Sequence, residues 1–271
     1  MRFPSTSIEH LEISRMMVGT NWFLGYSHQS AAKSRWIKEY MDLDRIVEIM
    51  CVFAREGINA VMGPLNPAVQ EAIHRVEVET GVHMIWACTP SGEGIDDLLP
   101  GIEQTAELGA EICMPHQHWT DGNLVANEKR IIGLERATER IRELGMIPGL
   151  STHRPETVRV CDTAGYDVAT YIQIYNPIGF LCQVETDWIA KVINGTDKPI
   201  MCIKPLAAGR VLPTTGLSFV YHSVKPTDIV CIGTVSTYEA EDDIRIARDI
   251  LARQPQSDRE LDFSRSKLGL V

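Results

Sequence analysis

The sequence predicts a (β/α)8 barrel, and three observations favour this fold. Eight short apolar segments alternate along the chain with amphipathic helical patterns. The length of 271 residues suits one domain of this kind. Polar residues with chemical capacity follow directly after several apolar segments, at the strand ends where active sites of this fold lie. The whole chain, residues 1–271, is therefore predicted to form a single barrel domain.

The predicted strands are mostly continuous apolar runs, as expected for parallel strands that are covered on both faces. In chain order they are Arg15–Gly19, Ala60–Gly63, Val82–Cys88, Glu111–His116, Ile147–Ser151, Val168–Tyr175, Pro199–Lys204 and Asp228–Gly233. Because strands and helices alternate, we expect parallel strands joined by right-handed crossovers.

Helical patterns fill the intervals between the strands. Over Ile46–Ala54 the apolar residues recur at i, i+3, i+4, i+7 and i+8, which is one face of a helix. Asn66 followed by Pro67 predicts the N-cap and the first position of the next helix. The segment Ser236–Glu239 is a capping box that opens the last helix.

Two segments fall outside this repeat. One is a long loop at 22–41, after the first strand, and the other is a polar tail at 254–271. The tail could pack at a subunit interface, so a homo-oligomer is an open alternative.

Composition favours a cytoplasmic enzyme with a small-molecule substrate. The net charge is −10 and the chain has no basic run, which disfavours nucleic acids and anionic membranes as partners. No apolar stretch is long enough to span a bilayer, and the first residues lack the apolar region of a signal peptide. The seven cysteines form no C-x-x-C pair, which favours a reducing compartment and argues against a cysteine-rich metal site.

The strongest chemical signal is the segment His116-Gln117-His118 at the end of the fourth predicted strand. Residues i and i+2 of a strand face the same side, so two imidazoles there could bind one divalent metal such as Zn, Mn, Fe or Ni. His153 and His28 are candidates for further ligands. The alternative is that one histidine acts as a general acid or base without a metal.

Further polar groups are predicted around the same end of the barrel. Lys204 ends the seventh predicted strand, where it could form a Schiff base, stabilise an oxyanion, or extend along the rim with its charge in water. Asn21 and Trp22 follow the first strand, and Tyr175 and Asn176 end the sixth. These four residues are candidates for substrate binding.

Several segments together resemble the aldo-keto reductase superfamily. They are Leu11–Thr20, Gly57–Val61, His118-Trp119, Gly149–Glu156, Gln173–Pro177, Lys204–Gly209 and Ile232–Glu239. The resemblance covers most of the chain and implies a barrel that reduces carbonyls with NAD(P)H. It also implies that His118 is the catalytic histidine and that Ser151 and Gln173 contact the nicotinamide amide.

The chain departs from this family at the other catalytic positions. The family uses an Asp, a Tyr and a Lys together with the histidine. Met62 stands at the position of the Asp, Pro67 lies near that of the Tyr, and the segment Cys88–Pro90 covers that of the Lys. Without these side chains, ordinary carbonyl reduction lacks its proton donor.

The resemblance also bears on the choice of nucleotide. The family places basic side chains at the start of the last helix, where they hold the 2′-phosphate of NADPH. This chain has Glu239, Glu241, Asp242 and Asp243 there, and carboxylates repel a phosphate. A bound nucleotide is therefore expected to be NAD(H).

The sequence favours a histidine-centred enzyme, with or without a divalent metal, in which His116, His118, His153 and Lys204 are catalytic. A lyase, isomerase or hydratase reaction on a sugar or hydroxy-carbonyl compound suits these groups. The first alternative is an NAD(P)(H)-dependent oxidoreductase with a different proton donor. The second is a non-catalytic ligand-binding or assembly protein, against which the H-x-H segment argues.

Overall fold

Eight parallel strands close into a barrel in the computed structural model, which describes residues 2–253. In chain order the strands are β1 (Ser5–Ile8), β2 (Leu11–Ser14), β3 (Met16–Gly19), β4 (Ala60–Pro64), β5 (Ile85–Thr89), β6 (Ile112–Cys113), β7 (Leu124–Val125), β8 (Arg130–Ile131), β9 (Ile147–Ser151), β10 (Thr170–Ile174), β11 (Ile200–Ile203) and β12 (Ile229–Ile232). The barrel has the order β3-β4-β5-β6-β9-β10-β11-β12, and β12 pairs with β3. Each predicted strand overlaps one barrel strand, so the predicted fold is confirmed.

Helices surround the barrel. They are α1 (Ala31–Tyr40), α2 (Leu43–Arg55), α3 (Pro67–Thr80), α4 (Ile95–Glu107), α5 (Gln117–Gly122), α6 (Leu134–Glu143), α7 (Pro155–Ala164), α8 (Thr186–Gly195), α9 (Pro213–Ser223) and α10 (Thr237–Arg253). The Asn66 side chain accepts from the backbone N–H of Ala68, as its predicted N-cap role requires. At α10 the N–H of Glu239 donates to the Ser236 hydroxyl, while the Glu239 carboxylate accepts from Val235.

The long first loop contains a helix that the sequence did not predict. Ser30 caps α1, and Trp36 stacks on Tyr40 with ring centroids 5.0 Å apart. Ile37 is the one residue of α1 that is fully buried. A helix with so little apolar surface has no amphipathic pattern to reveal it, so the expectation of a loop over 31–40 was wrong.

An antiparallel hairpin of β1 and β2 closes one end of the barrel. Ile8 and Ile13 are almost fully buried and pack with Met17, Ile85 and Ile147 in the barrel interior. Since β2 leads directly into β3, this hairpin lies at the end where the barrel strands begin. The opposite end, where the strands finish, stays open.

The larger apolar core lies between the barrel and the helices, and Phe53, Trp86 and Tyr171 belong to it. All seven cysteines are free thiols. Over residues 2–253 no helix has both the length and the apolar character needed to cross a membrane. The predicted tail, 254–271, lies outside the described residues.

Candidate functional site

A cavity of about 350 Å³ lies at the open end of the barrel. The loops after β3, β11 and β12 and the start of α10 form its walls. Asn21, Trp22 and Lys204, which follow strand ends, line it together with His28 of the long first loop. Its size suits a small ligand or part of a larger one.

His116 and His118 are not on a strand. The strand β6 ends at Cys113, and His116 is instead the N-cap of α5, where its Nδ1 accepts the backbone N–H of His118 at 3.3 Å. Side chains two positions apart on a helix point in directions that differ by about 200°. His118 accordingly is exposed, and the prediction that the two imidazoles share one face was wrong.

The predicted metal centre of His116, His118, His153 and His28 finds no support in this geometry. Among residues 2–253, no three His, Cys, Asp or Glu side chains come together as a set able to hold a metal ion. His28 instead lies with its Nε2 3.5 Å from the amide nitrogen of Asn21.

Three imidazoles and one amine do share an electrostatic neighbourhood. Burial lowers the pKa of His28, His116 and His153, and the charge of Lys204 lowers each further. The effect is largest at His153, whose pKa falls to about 3 through burial, Lys204, His116 and His28 in that order. These imidazoles are therefore neutral at pH 7 and able to accept protons.

Lys204 lies immediately after β11 with a backbone φ of +59°, in the left-handed region that non-glycine residues rarely adopt. Its side chain is partly buried, and burial is the main cause of its lowered pKa. No carboxylate among the described residues pairs with its amine.

Asp121 of α5 fixes the loop that carries His153. One carboxylate oxygen accepts the backbone N–H of His153 at 3.1 Å, and the other accepts the hydroxyl of Thr152. That hydroxyl also contacts Thr157 at the start of α7. Thr152, which the sequence did not single out, thus helps to position the histidine. No pattern in the sequence marks such a contact, since it joins two separate loops.

Ser151 and Gln173 lie on the neighbouring strands β9 and β10, and Ser151 is opposite Ile172 in the ladder. Gln173 is fully buried, and its Oε1 has no hydrogen-bond partner among the described residues. Its Nε2 lies 3.4 Å from the carbonyl of Ile174, near the limit of a hydrogen bond. Both residues lie outside the wall of the cavity as described above.

The polar atoms of Tyr175 and Asn176 form hydrogen bonds within the protein. The Tyr175 hydroxyl donates to Ser223 at 2.9 Å. The Asn176 amide exchanges two hydrogen bonds with the backbone of Phe180 and so closes a turn. The structure does not bring these two residues to the cavity, and their role in substrate binding stays a prediction.

Carboxylates form one wall of the cavity. Glu239, Asp242 and Asp243 line it, whereas Glu241 does not. Asp243 is only 3% exposed and has no hydrogen-bond partner among the described residues. Burial, with the charges of Glu239 and Asp242, raises the pKa of Asp243 to about 7.

The structure also locates the three positions at which the sequence departs from the aldo-keto reductases. Met62 lines the cavity, and Pro67 is the first residue of α3. Thr89 ends β5 and is buried. The cavity thus contains none of the three missing catalytic side chains at the positions that the resemblance indicates.

No family model and no curated protein matches the chain. Solved structures do match it across nearly their whole length. A protein from Pseudomonas aeruginosa, provisionally described as an aldo-keto reductase, is 15% identical with a TM-score of 0.68, over 91% of this chain and 95% of that one. Aldose reductase from Giardia lamblia is 10% identical with a TM-score of 0.57, over 95% and 90%.

The chain has an aldo-keto-reductase-like fold. A chain of the Amycolatopsis orientalis BexX/CysO complex is also similar, with 15% identity and a TM-score of 0.58, over 95% of this chain and 99% of that one. At these identities the similarity establishes the fold, and activity has to be argued from the site.

Proposed function

We propose that this aldo-keto-reductase-like barrel is an NAD(H)-dependent oxidoreductase that acts on a small polar alcohol or carbonyl compound. The observation that carries the proposal is the buried amide of Gln173, whose oxygen has no partner among the described residues. A buried acceptor without a donor is costly, and such groups often await a ligand.

The carboxamide of a nicotinamide ring offers the donor that this oxygen lacks. The oxygen is enclosed, so the Gln173 side chain has to turn towards the open end of the barrel. The 3.4 Å contact of its Nε2 with Ile174 is weak, and breaking it costs little. Ser151 on the adjacent strand supplies a hydroxyl as a second contact. When bound, the nicotinamide gives or takes a hydride.

The acidic wall of the cavity favours NAD(H) over NADP(H). Glu239, Asp242 and Asp243 accept hydrogen bonds from ribose hydroxyls, whereas they repel a 2′-phosphate. This choice rests on charge alone and is independent of the Gln173 contact.

The proton of the reaction is assigned to His153. Its imidazole is neutral at pH 7, and its ring has no hydrogen bond among the described residues. Because a pKa of about 3 makes His153 a weak base, it accepts the proton of an alcohol only as the hydride leaves the carbon, and the site favours neither direction of the reaction. Asp121 holds the backbone of His153 in place for this transfer.

The test is titration of the protein with NADH and NADPH while tryptophan fluorescence is recorded, since Trp22 lines the cavity. We expect NADH to bind at least tenfold more tightly than NADPH. Gln173→Leu should weaken NADH binding by about three- to tenfold, the worth of one neutral hydrogen bond. The matched control Gln104→Leu changes an exposed glutamine of α4 and should have no effect.

Equal affinity for the two nucleotides would refute the role of the acidic wall. Absence of binding by both would refute the oxidoreductase proposal and leave the non-catalytic alternative standing.

A further inference from the structure

Lys204 differs from two other partly buried lysines, Lys198 and Lys225. Lys198 pairs with Asp162 at 2.9 Å, and Lys225 pairs with Asp228 at 2.9 Å. Lys204 has no such partner among the described residues, although it lines the cavity. An ammonium removed from water without a counter-charge is costly, and the amine relieves that cost by losing its proton.

The backbone at Lys204 is held in an unfavourable conformation. A left-handed φ is unfavourable for a residue with a Cβ. The N–H of Ala207 donates to the Lys204 carbonyl at 2.9 Å, and Ala207 and Ala208 also have positive φ values. Strain of this kind persists where the surrounding structure imposes it, and it is concentrated at functional sites.

The cavity around Lys204 has an apolar part as well as the acidic wall formed by Glu239, Asp242 and Asp243. Met62, Ile203 and Ile232 supply apolar walls to the same cavity. His153 does not line the cavity, although it lies within range of the charge of Lys204. The lone pair of an amine that loses its proton in this cavity is a nucleophile.

We propose that Lys204 is a nucleophilic amine that condenses with a small aldehyde or ketone in this cavity. Its Nζ lone pair attacks the carbonyl carbon, a C–N bond forms, and the carbonyl π electrons move to oxygen. A proton then moves from nitrogen to oxygen through water, which gives a carbinolamine. The C–O bond then breaks with loss of water as a C=N bond forms.

This condensation needs no oxidant, nucleotide or metal, so it goes beyond the proposed oxidoreductase activity and does not depend on it. When the imine takes up a proton from water, it acidifies the neighbouring C–H bond. The substrates are therefore small aldehydes or ketones with a hydrogen on the carbon next to the carbonyl group.

The test uses the whole chain without nucleotide. The protein is incubated separately with glycolaldehyde, dihydroxyacetone and pyruvate at pH 7.5, reduced with sodium borohydride and digested for peptide mass spectrometry. We expect one adduct per chain, at Lys204, at least tenfold enriched over any other lysine. Lys204→Met should abolish this adduct, and the matched control Lys198→Met should keep it.

A uniform low level of adducts over the surface lysines would overturn the inference. If Lys204→Met fails to fold, competitive labelling of the native chain with a limiting amine reagent decides instead. Lys204 should then react at least tenfold faster per residue at pH 7.5 than the lysines that are paired with acids, and slower reaction would overturn the inference. NADH titration of the same samples tests the proposed function independently of the adduct measurement.

Discussion

The carboxyl group of Asp243 should make the folded protein less stable as the pH rises. It is 3% exposed and has no hydrogen-bond partner among the described residues, and burial with two neighbouring carboxylates raises its pKa from 3.8 to about 7. The folded state thus binds this proton more tightly than the unfolded state. The free energy of unfolding therefore falls as the pH rises from about 4 to 7, and the full cost is present above pH 7.

The size of the effect follows from the two pKa values. Each pKa unit corresponds to about 1.4 kcal/mol, so the ionised Asp243 costs on the order of 4 kcal/mol at pH 8. At pH 5 the group is protonated in the folded state, and the cost is about 1.6 kcal/mol. Asp243→Asn removes the titration but keeps the shape. Its stability relative to the native protein should therefore rise by about 2–3 kcal/mol between pH 5 and pH 8.

The assay is urea denaturation of both proteins at pH 5, 6, 7 and 8 without ligand. An amide buried without partners has its own cost, but that cost is the same at every pH and cancels from the comparison. Asp249→Asn is the matched control, because Asp249 is an exposed acidic residue of the same helix and is not one of the charges that raise the pKa of Asp243. It should change stability by less than about 1 kcal/mol at each pH. A constant difference between Asp243→Asn and the native protein from pH 5 to pH 8 would refute the reasoning.

Two further predictions concern the fold. Ile13→Ala should lower the free energy of unfolding by about 2–5 kcal/mol in urea denaturation, because Ile13 is fully buried where the hairpin closes the barrel; a loss below 1 kcal/mol would argue against that closure. Although burial lowers the pKa of His83, hydrogen bonds and charges from Glu77 and Glu111 raise it overall. His83→Gln should therefore lower the free energy of unfolding by up to about 1 kcal/mol at pH 5.5 and by almost nothing at pH 8.5. A larger loss at the higher pH would contradict this sign.

The barrel was predictable because burial on both faces leaves a continuous apolar run for each strand. The run over Ile147–Ser151 matches β9 in full. The hairpin of β1 and β2 and the helix α1 were not predicted. Each buries few residues, and short elements of this kind depend on contacts that are distant in the sequence, such as Ile8 in the barrel interior.

The site was predictable in location and less so in geometry. Strand ends correctly placed Asn21, Trp22 and Lys204 around one cavity. The H-x-H argument failed because it extended the fourth strand to His116, whereas the strand ends at Cys113 and His116 is the N-cap of a helix that begins at Gln117. Pro115 was the signal available in the sequence, since proline lacks the N–H that a strand ladder requires.

The buried position of Asp243 could have been predicted from helical periodicity, although the acidic composition of its segment suggested an exposed one. It lies three residues after Ala240 and four before Ala247, on the buried face of α10 that also includes Ile244 and Ile250. A run of acidic residues suggests a solvated surface, whereas helical periodicity places this one carboxyl group inside. Periodicity and charge pattern have to be considered together to find such a residue.

The two ends of the barrel differ in how their buried charged side chains are paired. Where the strands begin, Asp228 pairs with Lys225 and accepts two backbone N–H groups, while Arg15 donates to the Asp228 carbonyl. Where the strands end, Lys204 and Asp243 have no such partners among the described residues. Unpaired buried groups are costly, and a fold that pairs them at one end is able to pair them at the other. Their position around the cavity therefore argues that a ligand supplies the missing partners there.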